Sequence, residues 1–262
     1  HWAIFRQAQG GVSSHGAEHG AVGRGSTTPQ GGFPSHCARS PWEGKRYNRD
    51  MEHERSIYVS EAAMRAIALL EGEGHESWCV GGCVRDALLG RPVHDYDIAT
   101  AALWNDAERM LTAGGFEVHR TGTKHGTVTA SLDGEALEIT TFRVDASYSD
   151  GRHPDNVEFV RCIQEDLARR DFTINALAYH PERGLLDSVH GMDDLSARII
   201  RTVGDPVKRF AEDGLRILRG CRFASQLGFS IEAETLQAMK SCKMRARPIA
   251  LTRFIFVGWR EH

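Results

Sequence analysis

No apolar run in the 262 residues reaches the ~18–20 positions that a membrane-crossing helix needs. Positive charge is not in surplus either. The 32 Lys and Arg stand against 35 Asp and Glu, a formal charge of −3. Non-specific coating of nucleic acid wants a clear basic excess, so any contact with nucleic acid must be local. Cysteine is sparse: Cys37, Cys79, Cys83, Cys162, Cys221 and Cys242 are scattered. That is no disulfide framework of a short secreted chain. Cys79 and Cys83 lack a second Cys or His pair at matching spacing, which leaves zinc without its other ligands. Reduced core thiols in a reducing, cytosolic compartment are the expectation. There is no internal repeat and no basic-start, apolar-centre signal pattern. The 41% hydrophobic and 26% charged residues that remain suit one or two soluble domains with a real core.

Residues 1–50 are rich in Gly, Ser, His and Arg and carry no sustained period. They read as disordered or as sequence outside the functional protein, with Met51 a plausible start. From Ser60 the period turns helical: Ala63, Ile67 and Leu70 share a face, and Gly72 and Gly74 end it. A second helix is predicted around 105–113, with strands near 117–119, 126–132 and 136–142. One more short strand pair is predicted around 176–187 and 199–202. Asp205-Pro206 predicts the N-cap and first position of a long helix. On that helix Val207, Phe210, Ala211, Leu215, Leu218 and Cys221 form one apolar stripe, with Arg216 opposite it, flanked by Asp213 and Arg219. The 241–262 stretch loses this period and ends rich in aromatics. Strands alternating with helices, then helices alone, indicate a mixed α/β body followed by a helical segment.

The chemistry gathers in 78–100. Gly81 and Gly82 follow a short apolar run and precede a helix that Gly90 stops and Pro92 keeps from resuming. Asp95 and Asp97 come next, two apart, and on a strand they would face one space. Like charges that close call for a cation. Mg²⁺, which takes one or two carboxylates plus substrate phosphates, is the usual answer. Glu138, between Leu137 and Ile139, is by itself one polar position on a half-exposed strand; beside Asp-x-Asp it becomes a candidate third carboxylate for phosphoryl transfer. A glycine pair alone is usually only a turn. Here it opens a helix, and Arg85 one turn in adds a guanidinium able to grip phosphate oxygens.

Four motifs stand in one order: Gly81-Gly82-x-x-Arg85-Asp86, Asp95-x-Asp97, Arg169-Arg170-Asp171-Phe172-Thr173-x-Asn175-Ala176 and Glu212-Asp213-x-Leu215-Arg216-x-Leu218-Arg219. Together they resemble the class II nucleotidyltransferases, the tRNA CCA-adding enzymes and bacterial poly(A) polymerases, from about Tyr58 to Met239. The resemblance implies an α+β fold: a polymerase-β-like nucleotidyltransferase head with a small mixed sheet at 51–180, then a helical neck with a nucleotide-selecting helix at 181–240. The 241–262 segment is atypical, and the chain would be truncated after the head and the start of the neck. It also implies Asp95 and Asp97 as Mg²⁺ ligands, Glu138 as third catalytic carboxylate, and nucleotide contacts from Gly82, Arg85, Arg170, Asp213, Arg216, Arg219 and Arg222. Asp213 and Arg216 would read the base of CTP or ATP as a protein template, with the tRNA 3′ end as acceptor.

The chain departs from the family at Val189-His190, where an aromatic and a glycine are usual, and at Gly214, where alanine is usual. A glycine inside a helix costs about 1 kcal/mol relative to alanine. The rival expectations are a poly(A) polymerase, an enzyme adding only C or only A, an idle remnant that binds nucleotide or RNA without turnover, and a small-molecule nucleotidyltransferase.

Overall fold

The computed structural model describes residues 57–147 and 156–243. The expectations for 1–50, for Met51 and for 244–262 fall outside the described residues. Ser60 opens α1 (Glu61–Gly72) by accepting the Ala63 N–H at 3.2 Å. Its buried stripe, Ala62, Ala63, Ala66, Ile67 and Leu70, contains the three residues expected. There follow β1 (Ser77–Val80), α2 (Gly82–Leu88), β2 (Tyr96–Thr100), α3 (Trp104–Ala113), β3 (Glu117–Gly122), β4 (Thr127–Leu132) and β5 (Glu135–Thr141). Then come the hairpin strands β6 (Arg143–Ser147) and β7 (Asn156–Phe159), α4 (Ile163–Ala168), β8 (Leu177–His180), β9 (Gly184–Asp187) and α5 (Gly191–Ala197). The chain continues through β10 (Ile199–Ile200), α6 (Pro206–Glu212), α7 (Leu215–Leu227), β11 (Ser230–Ile231) and helical residues 233–243.

Seven strands form one mixed sheet in the order β3-β4-β5-β2-β1-β8-β9. Only the β2–β5 pair is parallel. Alternation along the strands divides the faces. Ile98, Val128, Ala130, Leu137 and Ile139 are buried in a common core with Ile67 and Leu70 of α1 and Met110 and Leu111 of α3. On the opposite face Trp78, Val80, Ala99 and Ala178 pack with Ile163 and Leu167 of α4. That cover ends short of Asp97 and Glu138, which therefore face open space. Cys79 and Cys83 are free buried thiols. Burial pushes both up, Cys83 to about 11, which keeps them neutral.

Three expectations need correction. The 176–187 stretch is a hairpin in itself, β8 with β9. Ile199 and Ile200 pair instead with Ser230 and Ile231, in parallel. The long helix is two helices. Asp205 does cap it, accepting from Val207 N–H at 2.8 Å and Lys208 N–H at 3.3 Å, but the backbone extends at Asp213 (φ −142°, ψ 110°). The Asp213 carboxylate then accepts the Leu215 N–H at 2.8 Å and starts α7.

The break breaks the stripe. Val207 is 52% exposed and Leu218 36%, while α7 buries Arg216, Ile217, Gly220 and Phe223. Gly214 sits ahead of α7, so the penalty for glycine inside a helix does not apply. Gly220 is where α7 meets the head: a Cβ there would collide with Met239 and stand 2.9 Å from Phe172. His190 adopts φ +60°, the left-handed conformation a glycine would favour. The turn around it is held by Asp187, which accepts from Val189, Gly191 and Met192 N–H.

Candidate active site

Parallel pairing of β2 with β5 sets Asp97 directly beside Glu138. Asp95 lies just ahead of β2 and borders a cavity of about 480 Å³ together with Asp97 and Glu138. Burial pushes the Asp97 carboxyl up to about 6; Glu138 and Asp95 add repulsion and Arg170 offsets part of it. Among the described residues no group of three or more His, Cys, Asp or Glu side chains stands close enough to hold a metal ion as it is. The donors are all carboxylate oxygens, and the strain on Asp97 is of the kind a cation relieves.

A second cavity, of about 630 Å³, shares two of the same acids. It is lined by Asp97 and Glu138, by Gly82 and Arg85, by Arg170, and by Asp213, Arg216, Arg219 and Arg222 of the neck. Nine of the ten residues singled out from the sequence thus border one cleft, and Asp95 borders its neighbour across the Asp97–Glu138 pair.

The turn between β1 and α2 is shaped by Gly81 at φ +76°. The backbone conformation itself calls for glycine, and a Cβ there would lie 2.8 Å from Arg170 Nη1 and 3.8 Å from Asp97 Oδ2, so the Arg170 tip passes close over the turn. Arg85 is not held open for a ligand. Its Nε and Nη2 fork onto Asp86 at 2.9 and 2.7 Å, and Nη1 donates to Asn175 Oδ1 at 2.5 Å.

The neck side is just as heavily engaged. Arg216, 7% exposed, bonds Glu212 Oε2 and the carbonyls of Arg209 and Arg169, at 3.1 and 3.3 Å. It belongs to the head–neck seam rather than to a solvent face. Arg219 Nε donates to Asp171 Oδ2 at 2.6 Å. Arg209 Nη2 donates to the Ala168 carbonyl at 2.6 Å. Phe223 collects three guanidiniums, those of Arg85, Arg219 and Arg222, at 5.0–5.3 Å from its ring.

Sequence reasoning passed over the partners that place these groups: Asp86, Asp166, Asp171, Asn175, Glu212 and Phe223. Four lie inside quoted motifs and a fifth, Phe223, follows directly on Arg222. Each acid taken singly looks like a solvated helix end. The usable signal was density, with Asp166, Arg169, Arg170 and Asp171 within six residues.

Residues 77–201 match the family model described as Poly A polymerase head domain. A CCA-adding enzyme of Pediococcus pentosaceus is 46% identical over 195 residues, 74% of this chain and 48% of that protein. The crystal structure of the Bacillus stearothermophilus CCA-adding enzyme in complex with CTP is 42% identical, with a TM-score of 0.61 over 69% of this chain and 43% of that one. A tRNA nucleotidyltransferase complexed with a primer tRNA and an incoming ATP analog is 32% identical, with a TM-score of 0.55 over 68% of this chain and 49% of that one. The chain spans about half the length of the curated relatives it matches.

Proposed function

The chain belongs, through its head, to the nucleotidyltransferase family of the CCA-adding enzymes and bacterial poly(A) polymerases, and from that premise we propose that it adds C and A to tRNA 3′ ends from CTP and ATP, releasing pyrophosphate. The observation that carries this reading is a single cleft with paired carboxylates on one wall and arginines on the other. A nucleoside triphosphate needs both: cationic donors for its phosphates and an acidic post for its metal. Relatives solved with CTP and with primer tRNA and an ATP analog support the substrate classes.

Mg²⁺ suits the acidic wall, where Asp95 and Asp97 would hold it and Glu138 would complete the carboxylate set. When bound, such an ion polarises the phosphate and makes the attacking 3′-hydroxyl a better nucleophile. The protein's own part is placement and charge. Arg170, Arg219 and Arg222 line the cleft and would donate to the phosphates, with Gly82 and Arg85 lining it beside them. Asp213 and Arg216 both border the cleft near the start of α7 and would serve as acceptor and donor for the base once Arg216 exchanges its Glu212 and main-chain partners for it. Cytosine and adenine both offer an amino donor next to a ring-nitrogen acceptor and match that pair. Guanine and uracil invert the order and leave groups unpaired, at about 1–3 kcal/mol each. No covalent enzyme intermediate is needed.

The test is incorporation of labelled CTP and ATP, singly and together, into tRNA lacking its terminal CCA. Addition of both, abolished by Asp95→Ala with Asp97→Ala, is expected. Long A tracts from ATP alone would identify a poly(A) polymerase instead, and no incorporation at all would overturn the reading.

A further inference from the structure

We propose that Asp166 is a positioning residue for polyphosphate recognition: its buried carboxylate aims the Arg170 guanidinium, with Arg169 beside it, over the Gly81 turn into the cleft. The inference rests on the nucleotide-site reading above and concerns a residue that touches no substrate itself.

Asp166 lies in the short helix α4 and is 1% exposed. Its Oδ2 accepts from Arg170 Nη2 at 3.1 Å and Nε at 3.4 Å. Its Oδ1 accepts from Arg169 Nη2 at 2.7 Å and Nε at 3.1 Å, and from the Arg143 backbone N–H at 3.3 Å. One buried negative charge thus serves two guanidiniums that both line the cleft, and the cluster keeps a net charge of +1. The two arginines outweigh burial and hold the Asp166 carboxyl below the usual range, so it stays ionised.

Geometry gives the cluster a direction. A guanidinium gripped along its Nε–Nη2 edge must point Nη1 the other way. In Arg170 that atom stands 2.8 Å from where a Cβ of residue 81 would be, a point itself 3.8 Å from Asp97 Oδ2. The leading edge of Arg170 therefore occupies the gap between the glycine turn and the acidic wall. Asp166 sets its angle from behind and Gly81 leaves it room in front.

The experiment is calorimetric binding of CTP, inorganic tripolyphosphate and cytidine to the full chain. Asp166→Asn is expected to weaken CTP and tripolyphosphate about tenfold or more while leaving cytidine unchanged. Arg170→Lys keeps the charge but loses the fork and is expected to do the same. In the double variant the loss should be smaller than the sum of the two single losses, because Asp166 and Arg170 share one interaction. Wild-type affinity for tripolyphosphate in Arg170→Lys would overturn the proposal, and that variant decides alone if Asp166→Asn does not fold. So would no tripolyphosphate binding by the wild type, or parallel loss of cytidine in Asp166→Asn, which general loosening would cause. If this pattern holds but tRNA is not extended, the proposed activity fails and this inference stands.

Discussion

On the strand wall of the cleft, Asp97 and Glu138 are set side by side by backbone register, and their carboxylates take no hydrogen bond or ion pair from the described residues. On the facing wall, Arg170 and Arg219 are held by Asp166 and Asp171, and Arg216 by Glu212 and two main-chain carbonyls. One wall is left electrostatically unsatisfied; the other is neutralised in part and braced. The difference fits two ligands of different kinds. A small cation can compensate two carboxylates by itself, so the protein need only bring them together. A long flexible phosphate chain is gripped by donors whose orientation is fixed beforehand.

The contrast breaks most visibly at Asp97. Asp97→Ala should remove nucleotide incorporation by about 10³-fold or more, since transition-state charge stabilisation of several kcal/mol is at stake. Single-turnover extension of tRNA reads this. The metal-free protein should move the opposite way in stability. Asp97 has its folded pKa raised to about 6 from an ordinary 3.8. The stability tied to its protonated form is therefore full below about pH 4 and lost as pH rises through 6. In chelator at pH 7, Asp97→Asn should raise stability by about 2–3 kcal/mol, and the gain should shrink on acidification to pH 5. Urea unfolding at both pH values checks it.

The braced wall is probed from the front by Gly81→Ala. The backbone penalty at φ +76° and the approach of Arg170 should cost about 1–3 kcal/mol of stability. They should also raise KM for CTP more than they lower kcat. A change at a residue that does not line the cleft provides the baseline: His190→Gly, at φ +60°, should add about 1 kcal/mol by relieving strain, with incorporation unchanged.

The strand wall was largely legible from sequence. An acid between Leu137 and Ile139 must face away from the core, and Asp97 between Tyr96 and Ile98 obeys the same alternation. Which strands would be neighbours was not legible, because β2–β5 pairing joins residues some forty positions apart. The neck was harder. Periodicity from Val207 to Cys221 suggested one helix because helix propensity does not register a break stabilised by a side chain. Asp213 makes that break by capping Leu215, and the break turns Arg216 from an apparent solvent face into the head–neck seam. The braces Asp166 and Asp171 were visible as residues but not as partners. Their role depends on contacts with Arg143 and Arg219 that only the fold supplies.

The most direct test of the central claim is the melting temperature with Mg²⁺ and CTP added together, for the wild type and for Asp97→Asn. The account predicts a clear rise in the wild type and little or none in the variant, which begins from a higher value in chelator. An equal rise in both proteins would contradict it, because the acidic pair would then have no part in holding the metal and nucleotide.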